Sequence, residues 1–333
     1  MATGYIGDCY MNSYPLSKKQ VKALIFSIFV AMLGYLALSL SFEWQEVWSA
    51  YQTIGFLGIA LTLLLSLVNY VLRFIRWQIY LSIMKYFVPF RRSIVVYFAG
   101  FSLTTTPGKA GEMLRGVFLK PYGIPFTSTA AAFISERLSD LFAIVLLCLL
   151  GISAYSEGVS ILLVGCGVII CAQVVLSSVW LISLLQNWAK QSASKLGKAV
   201  EYFASIILEA KRCNVFWLQA ISLVISLLAW SAEAYAFYLI VSWTGSDISI
   251  TIAFSIYAVS MLAGALSFLP GGVGSAEAVM IALLLWAGIG ESQAIAATVV
   301  IRLVTLWFAV IIGCLSLLQL GKVDAPQKVA VRP

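Results

Sequence analysis

Ser102-Leu-Thr-Thr-Thr-Pro107-Gly-Lys-Ala-Gly-Glu112 interrupts an apolar run with a Pro-Gly step and closes on a carboxylate. The same design returns as Ser267-Phe-Leu-Pro270-Gly-Gly-Val-Gly-Ser-Ala-Glu277. Outward from these stretches, Glu112 is followed 25 residues later by Arg137, and Glu277 is followed 25 residues later by Arg302. Each arginine lies inside a long apolar run. A broken helix, a carboxylate and an arginine at matched positions in two halves predict a transporter-like architecture built from internal repeats.

Composition sets the solvent. The 333 residues are 62% hydrophobic and 11% charged, with a mean hydropathy of +0.98, whereas a soluble domain carries roughly 25% charged residues. The chain therefore reads as an all-α polytopic membrane protein, one transmembrane domain over residues 1–333. Residues 1–20 lack the charged start, apolar middle and cleavage site of a signal peptide, so the first helix is expected to stay as an anchor. The six cysteines lie mostly in apolar runs. Cys166 and Cys171 have no ligand chemistry around them and read as small packing residues, so no metal or cofactor is expected. The absence of histidine leaves carboxylates, Arg, Lys and Tyr for any proton or ion chemistry.

A helical crossing needs about 20 mostly apolar residues, and a run of 10–14 suggests a re-entrant piece. Six spans are expected: 21–42, 54–72, 133–155, 159–185, 215–243 and 293–318. Two broken-helix hairpins lie between them. The first runs over 94–106 and resumes at Glu112. The second runs over 250–269, breaks at Pro270 and resumes over 278–287; its first arm is long enough to cross, which leaves re-entrant and spanning forms both open. Residues 187–212 read as an amphipathic helix lying in the interface, with Leu196, Val200, Phe203 and Ile207 on one face and Trp188 and Tyr202 at headgroup depth.

With the N-terminus in the cytoplasm, 19 of the 21 basic residues fall in cytoplasmic segments, and the other two are Arg137 and Arg302. That is the positive-inside pattern, and it places both termini in the cytoplasm. The first hairpin then enters from the cytoplasm and the second from the opposite face. Repeats 21–155 and 159–318 become halves of inverted topology. Arg73, Arg76, Lys85, Arg91 and Arg92 read as a basic loop after span two that fixes topology, with gathering of anionic headgroups as the alternative. Trp44, Trp48, Trp77, Trp188 and Trp243 read as interface anchors.

Charges at membrane depth cost about 2.5–3.5 kcal/mol each on insertion scales, so each needs a partner or a wet cavity. The residues concerned are Glu112, Arg115, Glu136, Arg137, Asp140, Glu233, Glu277 and Arg302. Two readings stand side by side. In one, Arg137 and Arg302 face an anionic headgroup; in the other, the arginines and carboxylates form fixed bridges between helices. Gly108, Gly111, Gly271, Gly272 and Gly274, with Ser275 at a half-helix start, read as a place where backbone N–H groups meet a phosphate or carboxylate. Tight helix packing is the alternative for these glycines.

Taken as a set, Arg73-x-x-Arg76-Trp77, Pro107-Gly-x-x-Gly-Glu112-x-x-Arg115, Glu136-Arg137-x-x-Asp140 and Leu269-Pro270-Gly-Gly-Val-Gly-x-x-Glu277 resemble a known family. It is the membrane (flippase) domain of bacterial lysylphosphatidylglycerol synthases, together with the related stand-alone flippase-like integral membrane proteins. The resemblance runs from about span one to span six. It implies translocation of a lipid between leaflets, in an inner (cytoplasmic) membrane. In the synthases a soluble C-terminal domain makes the aminoacylated lipid; this sequence ends at Pro333 without one, so the resemblance implies lipid transport more firmly than lysylated cargo. Stand-alone relatives are associated with polyprenyl-linked sugars and hopanoids.

The expected function is a lipid flippase or transporter that moves an anionic or phosphate-containing lipid through a central polar cavity, and not an enzyme. The lipid would be a phospholipid, an aminoacyl-phospholipid or a polyprenyl-phosphate-linked lipid. The rivals are an intramembrane lipid-modifying transferase using Glu112, Asp140 or Glu277 as base, and an accessory scaffold. The partner expected is a membrane lipid as substrate, with no nucleic acid. A homo-oligomer and a complex with lipid-biosynthetic enzymes stay open.

Overall fold

Helix length is set by where the sequence supplies a stop. The computed structural model describes residues 18–150 and 195–320, with isolated residues between 163 and 188; for 18–44 it describes essentially the backbone path. All regular structure among these residues is helical. Helix α1 runs over Lys18–Ile83, 66 residues. The two spans expected at 21–42 and 54–72 are therefore one helix. The physical reason is that no Gly or Pro occurs between Gly34 and Gly55, so nothing in between ends the hydrogen-bond ladder. Gly55 itself sits at φ 69°, a conformation glycine adopts without steric cost, and it is where α1 departs from regular geometry.

The first hairpin opens at Pro89, which precedes α2, Phe90–Phe101. A turn over Ser102–Thr106 leads into a 3-10 segment, Pro107–Met113, and then α3, Leu114–Leu119. Gly123 in the left-handed region turns the chain, and Pro125 sets up α4, Phe126–Cys148, 23 residues. Next come α5, Lys195–Cys213, and α6, Phe216–Trp243. The second hairpin is α7, Ile250–Leu266, a tight turn at Pro270–Gly272, and α8, Ser275–Trp286. The last crossing is α9, Glu291–Arg302, a π-helical turn, Leu303–Trp307, and α10, Phe308–Leu320. Most of the expected span at 159–185, residues 189–194 of the interfacial helix and the tail from 321 lie outside the described residues.

Three helices among the described residues are both long and apolar enough to cross a bilayer: Gln45–Ile83, Phe216–Trp243 and Glu291–Leu320. Helix α4 is long enough at about 34 Å but carries Glu136, Arg137 and Asp140. The arms α2 and α7 are 12 and 17 residues, about 18 and 26 Å at 1.5 Å per residue, short of a hydrocarbon core of about 30 Å.

The hairpins are exchanged in their packing. Arm α2 of the first lies along α10, and arm α7 of the second lies along α4. Helix α6 packs along α1 and also touches α4 and α7. The breaks meet: the Pro107–Met113 segment contacts the Pro270–Gly272 turn, and Thr105 Cα lies 3.4 Å from where a Cβ on Gly271 would project.

Helix α5 meets α4 by one face. Ile206, Ile207 and Ala210 are buried and pack with Ala130, Ala131 and Leu138 of α4, Ala204 is buried beside them in sequence, and Leu196 and Phe203 are exposed. Small residues let the two backbones approach, so the alanine side of α5 makes the protein contact, and Leu196 and Phe203 are left facing outward. Trp188 and Tyr202 are exposed, as interfacial residues would be.

Candidate functional site

The site is built where α1 passes the first hairpin. Helix α1 does not stop at Leu72 but carries Arg73 and Arg76 into the interior, 5% and 0% exposed. The reading of these two as loop residues is thus corrected. Their aromatic neighbours Tyr70, Phe74, Trp77 and Tyr80 are all buried, so the helix is enclosed on more than one face and takes its arginines with it. Trp77, expected as an interface anchor, is fully buried. It lies under the Arg115 guanidinium, whose Cζ is 4.6 Å from the indole centroid and 4.7 Å from that of Tyr97.

Buried charge here is paired across elements. Arg76 Nη1 donates to Asp140 Oδ1 at 2.7 Å and to the Ser226 hydroxyl, linking α1, α4 and α6. Arg115 Nη2 donates to Glu136 Oε2 at 2.9 Å. Glu112 is the hub. Its Oε2 lies 3.6 Å from Arg115, 3.6 Å from Arg137 and 3.8 Å from Arg73, and its Oε1 accepts from Thr104 Oγ1 at 2.7 Å. Asp140 Oδ2 stands 3.2 Å from Arg137 and 3.8 Å from Arg73. Lys109 completes the cluster. Its backbone is at φ 56°, an uncommon conformation for a residue with a side chain, and its Nζ lies 5.9 Å from the Trp230 ring centroid.

Four guanidiniums, Arg73, Arg76, Arg115 and Arg137, thus face three carboxylates, Glu112, Glu136 and Asp140, with Lys109 as a further cation over Trp230. Among the described residues, Arg73 Nε and Arg137 Nε have no hydrogen-bond acceptor, and the carboxylate oxygens Glu112 Oε2, Glu136 Oε1 and Asp140 Oδ2 have no hydrogen-bond donor. Arg137 and Lys109 are the partly exposed members, Arg137 with 23% of its side chain exposed.

The second half holds a smaller counterpart. Arg302 Nε donates to Glu277 Oε1 at 2.6 Å and its Nη2 to the Gly271 carbonyl at 2.8 Å. Glu277 Oε2 in turn accepts from the Gly274 N–H at 2.7 Å. The 25-residue spacing therefore forms a carboxylate–arginine pair in both halves. The residues 165 positions beyond Arg115, Glu136 and Asp140 are Met280, Ile301 and Thr305, so the charged cluster belongs to the first half alone. Arg302 leads into the π turn, a feature frequent at functional sites, and the Thr305 carbonyl within it accepts from the Tyr70 hydroxyl.

The remaining candidates take other roles. Gly271, Gly272 and Gly274 all have positive φ, which explains the three glycines after Pro270. The Ser275 hydroxyl donates to Ser267 Oγ at 2.8 Å. Backbone donors expected for an anion are already occupied at two places: Gly274 N–H by Glu277 and Gly111 N–H by Thr106 Oγ1 at 2.7 Å. Gly108 lies in the first 3-10 segment. Glu233 joins neither arginine; its Oε2 accepts from Tyr257 at 2.7 Å. Glu277 thus caps α8 and neutralises Arg302 at once. Glu277→Ala should lower the thermal stability of detergent-purified protein by about 3–5 kcal/mol, the range for leaving one buried partner behind. Glu277→Gln should retain about 1 kcal/mol of that through the cap. Equal melting curves for the two variants would contradict the double role.

These features define an integral membrane protein with two touching broken-helix hairpins and a buried, cation-rich cluster on one of them. The chain belongs to the family of lysylphosphatidylglycerol synthase transmembrane regions, which it matches over residues 21–313. Similar proteins include a UPF0104 membrane protein of Methanothermobacter thermautotrophicus, 26% identical, covering 66% of this chain and 72% of the relative. Another is a UPF0104 membrane protein of Pyrococcus horikoshii, 23% identical over 78% of this chain and 86% of its own length. A further Methanothermobacter relative is 27% identical over 79% and 84%.

Proposed function

We propose that this protein moves a lipid with an anionic, phosphate-bearing headgroup between the leaflets of the cytoplasmic membrane, with both its termini in the cytoplasm. The observation that carries the reading is the surplus of cations over carboxylates in the first-hairpin cluster, with guanidinium donors left over. A phosphate supplies the negative charge this cluster lacks. Arg137 and Lys109, the partly exposed members, make the first contacts, and Arg73 receives the headgroup deeper in. Glu112 and Asp140 hold the guanidiniums apart until the anion displaces them. Arg302, held by Glu277 and the Gly271 carbonyl, latches the second hairpin instead of binding the headgroup in this state.

The exchanged packing of α2 on α10 and α7 on α4 supports reading the halves as an inverted repeat. In that arrangement one hairpin faces each side and the touching breaks form the moving partition. The acyl chains stay in the bilayer while the headgroup passes the breaks. The test is movement of acyl-labelled fluorescent phosphatidylglycerol in proteoliposomes, read by quencher access to the outer leaflet. Arg137→Ala with Lys109→Ala should slow it about tenfold or more, since a hydrogen bond to a charged group contributes about 1.5–3 kcal/mol. Unchanged rates in a well-folded double variant would reject this headgroup site.

A further inference from the structure

Glu233 is a membrane-depth carboxylate that the headgroup site leaves unused. It lies 17 residues into the 28-residue α6, about 25 Å from one end and 15 Å from the other at 1.5 Å per residue. It is 6% exposed. Its carboxylate accepts a hydrogen bond from the Tyr257 hydroxyl on α7, at 2.7 Å, and among the described residues it makes no ion pair.

The charged and titratable groups that act on it electrostatically come from the neighbouring elements. Tyr70 and Arg73 stand on α1, Lys109 at the first hairpin tip, Tyr257 on α7 and Arg302 on α9. On α4, Asp140 and Arg137 belong to the adjoining cluster with Arg73. Arg73 is the cation that acts on it most, followed by Lys109. Lys109 sits over Trp230, three residues before Glu233 on the same face of α6. An ionised carboxylate at this depth without a cation is costly, whereas a protonated one is not. The site therefore suits a group that changes charge as the hairpins move.

We propose that Glu233, oriented by Tyr257, is a proton-binding site that couples headgroup movement to a proton gradient. This inference rests on the transport reading for what is coupled, and on the Glu233 environment alone for the proton. On loading, a proton from water on the acidic side adds to the Glu233 carboxylate, and its positive charge neutralises the buried anion. Lys109 then stays with the headgroup site. On unloading, the proton returns to water at the opposite face, and the ionised Glu233 draws Lys109 toward Trp230 and away from the headgroup, which releases it. No covalent bond forms between protein and lipid, and one proton is taken up and one given back per cycle.

Two measurements test this. In proteoliposomes of phosphatidylcholine containing fluorescent phosphatidylglycerol, a gradient of one pH unit should shift the leaflet distribution by up to about tenfold, the value of one coupled proton. Glu233→Gln should remove that response. A wild-type protein that moves the lipid but ignores the gradient overturns the proposal, as does a Gln variant that still responds.

The second measurement needs no cargo. Infrared difference spectra of the purified full chain between acidic and alkaline buffer should contain a protonated-carboxyl band that Glu233→Gln abolishes and Tyr257→Phe shifts. Absence of that band overturns the proposal even if lipid moves. Its presence in a protein that moves no phosphatidylglycerol supports the proton site and discards the cargo reading.

Discussion

Asp140→Ala is expected to cost the protein about 3–5 kcal/mol of stability, the range for removing one partner of a buried ion pair. Against a typical total of about 5–15 kcal/mol, that is enough to lose most of the folded material from detergent extracts. The magnitude reflects what Asp140 holds. Its carboxylate accepts from Arg76 at 2.7 Å and lies 3.2 and 3.8 Å from Arg137 and Arg73. Without it three guanidiniums face one another, and only Glu112 is left to balance Arg73 and Arg137. Arg76 keeps its bond to Ser226, but a hydroxyl carries no compensating charge. The check is the melting midpoint and monodispersity of purified protein. Arg76→Met combined with Asp140→Leu should recover part of the loss, because replacing both partners by apolar groups removes the stranded charge. If Asp140→Ala melts like the unaltered chain, the cluster is not structural and the hub assigned to Glu112 and Asp140 is wrong.

Asp140 also shows how far the sequence can be read. The two breaks are legible because Pro107 and Pro270, with their glycines, act locally: each removes a donor or permits a left-handed residue within a few positions. The paired spacing of Glu112 with Arg137 and Glu277 with Arg302 is legible too, and it forms an ion pair in both halves. Whether those arginines face a ligand or a carboxylate is not legible, because the same residues serve either.

Arg73 and Arg76 escape a sequence reading for a different reason. A hydropathy window ends at the first charge, whereas α1 continues to Ile83, and the partner that keeps Arg76 inside is 64 residues away. A usable local signal is present. Tyr70, Phe74, Trp77 and Tyr80 recur at three- and four-residue intervals on both sides of the arginines, which is a core stripe and not a loop. Spans one and two are joined in one helix because composition marks where apolar residues lie, whereas Gly55, at their junction, departs from regular geometry without ending the helix.

Gly313→Ala is expected to combine loss of stability with loss of transport, although Gly313 touches no charged group of the site. A Cβ at this position would stand 2.1 Å from the backbone nitrogen of Ser102 and 2.6 Å from the carbonyl carbon of Phe101. Backbone cannot rotate aside as a side chain can, so α10 and the end of α2 must separate. Overpacking of this kind typically costs about 1–3 kcal/mol, occasionally more.

The functional consequence comes from the residues just after Ser102. Thr104, two positions on, holds Glu112 through its hydroxyl at 2.7 Å, and Thr105 abuts Gly271 of the second hairpin. Pushing α2 outward displaces the carboxylate that sets the spacing of Arg73, Arg115 and Arg137, and it parts the touching breaks. Lipid movement should therefore fall about tenfold or more even in the fraction that stays folded, since a misplacement of about 1 Å in a positioned site can cost a hundredfold.

Gly34→Ala supplies the contrast. Among the described residues a Cβ there meets nothing within 4 Å, and in a helix interior alanine is favoured over glycine by roughly 0.5–1 kcal/mol, so stability should rise slightly and transport should hold. If Gly313→Ala transports at the normal rate while melting earlier, the hairpin position set by α10 is a matter of packing alone, and the headgroup site does not depend on the register of α2.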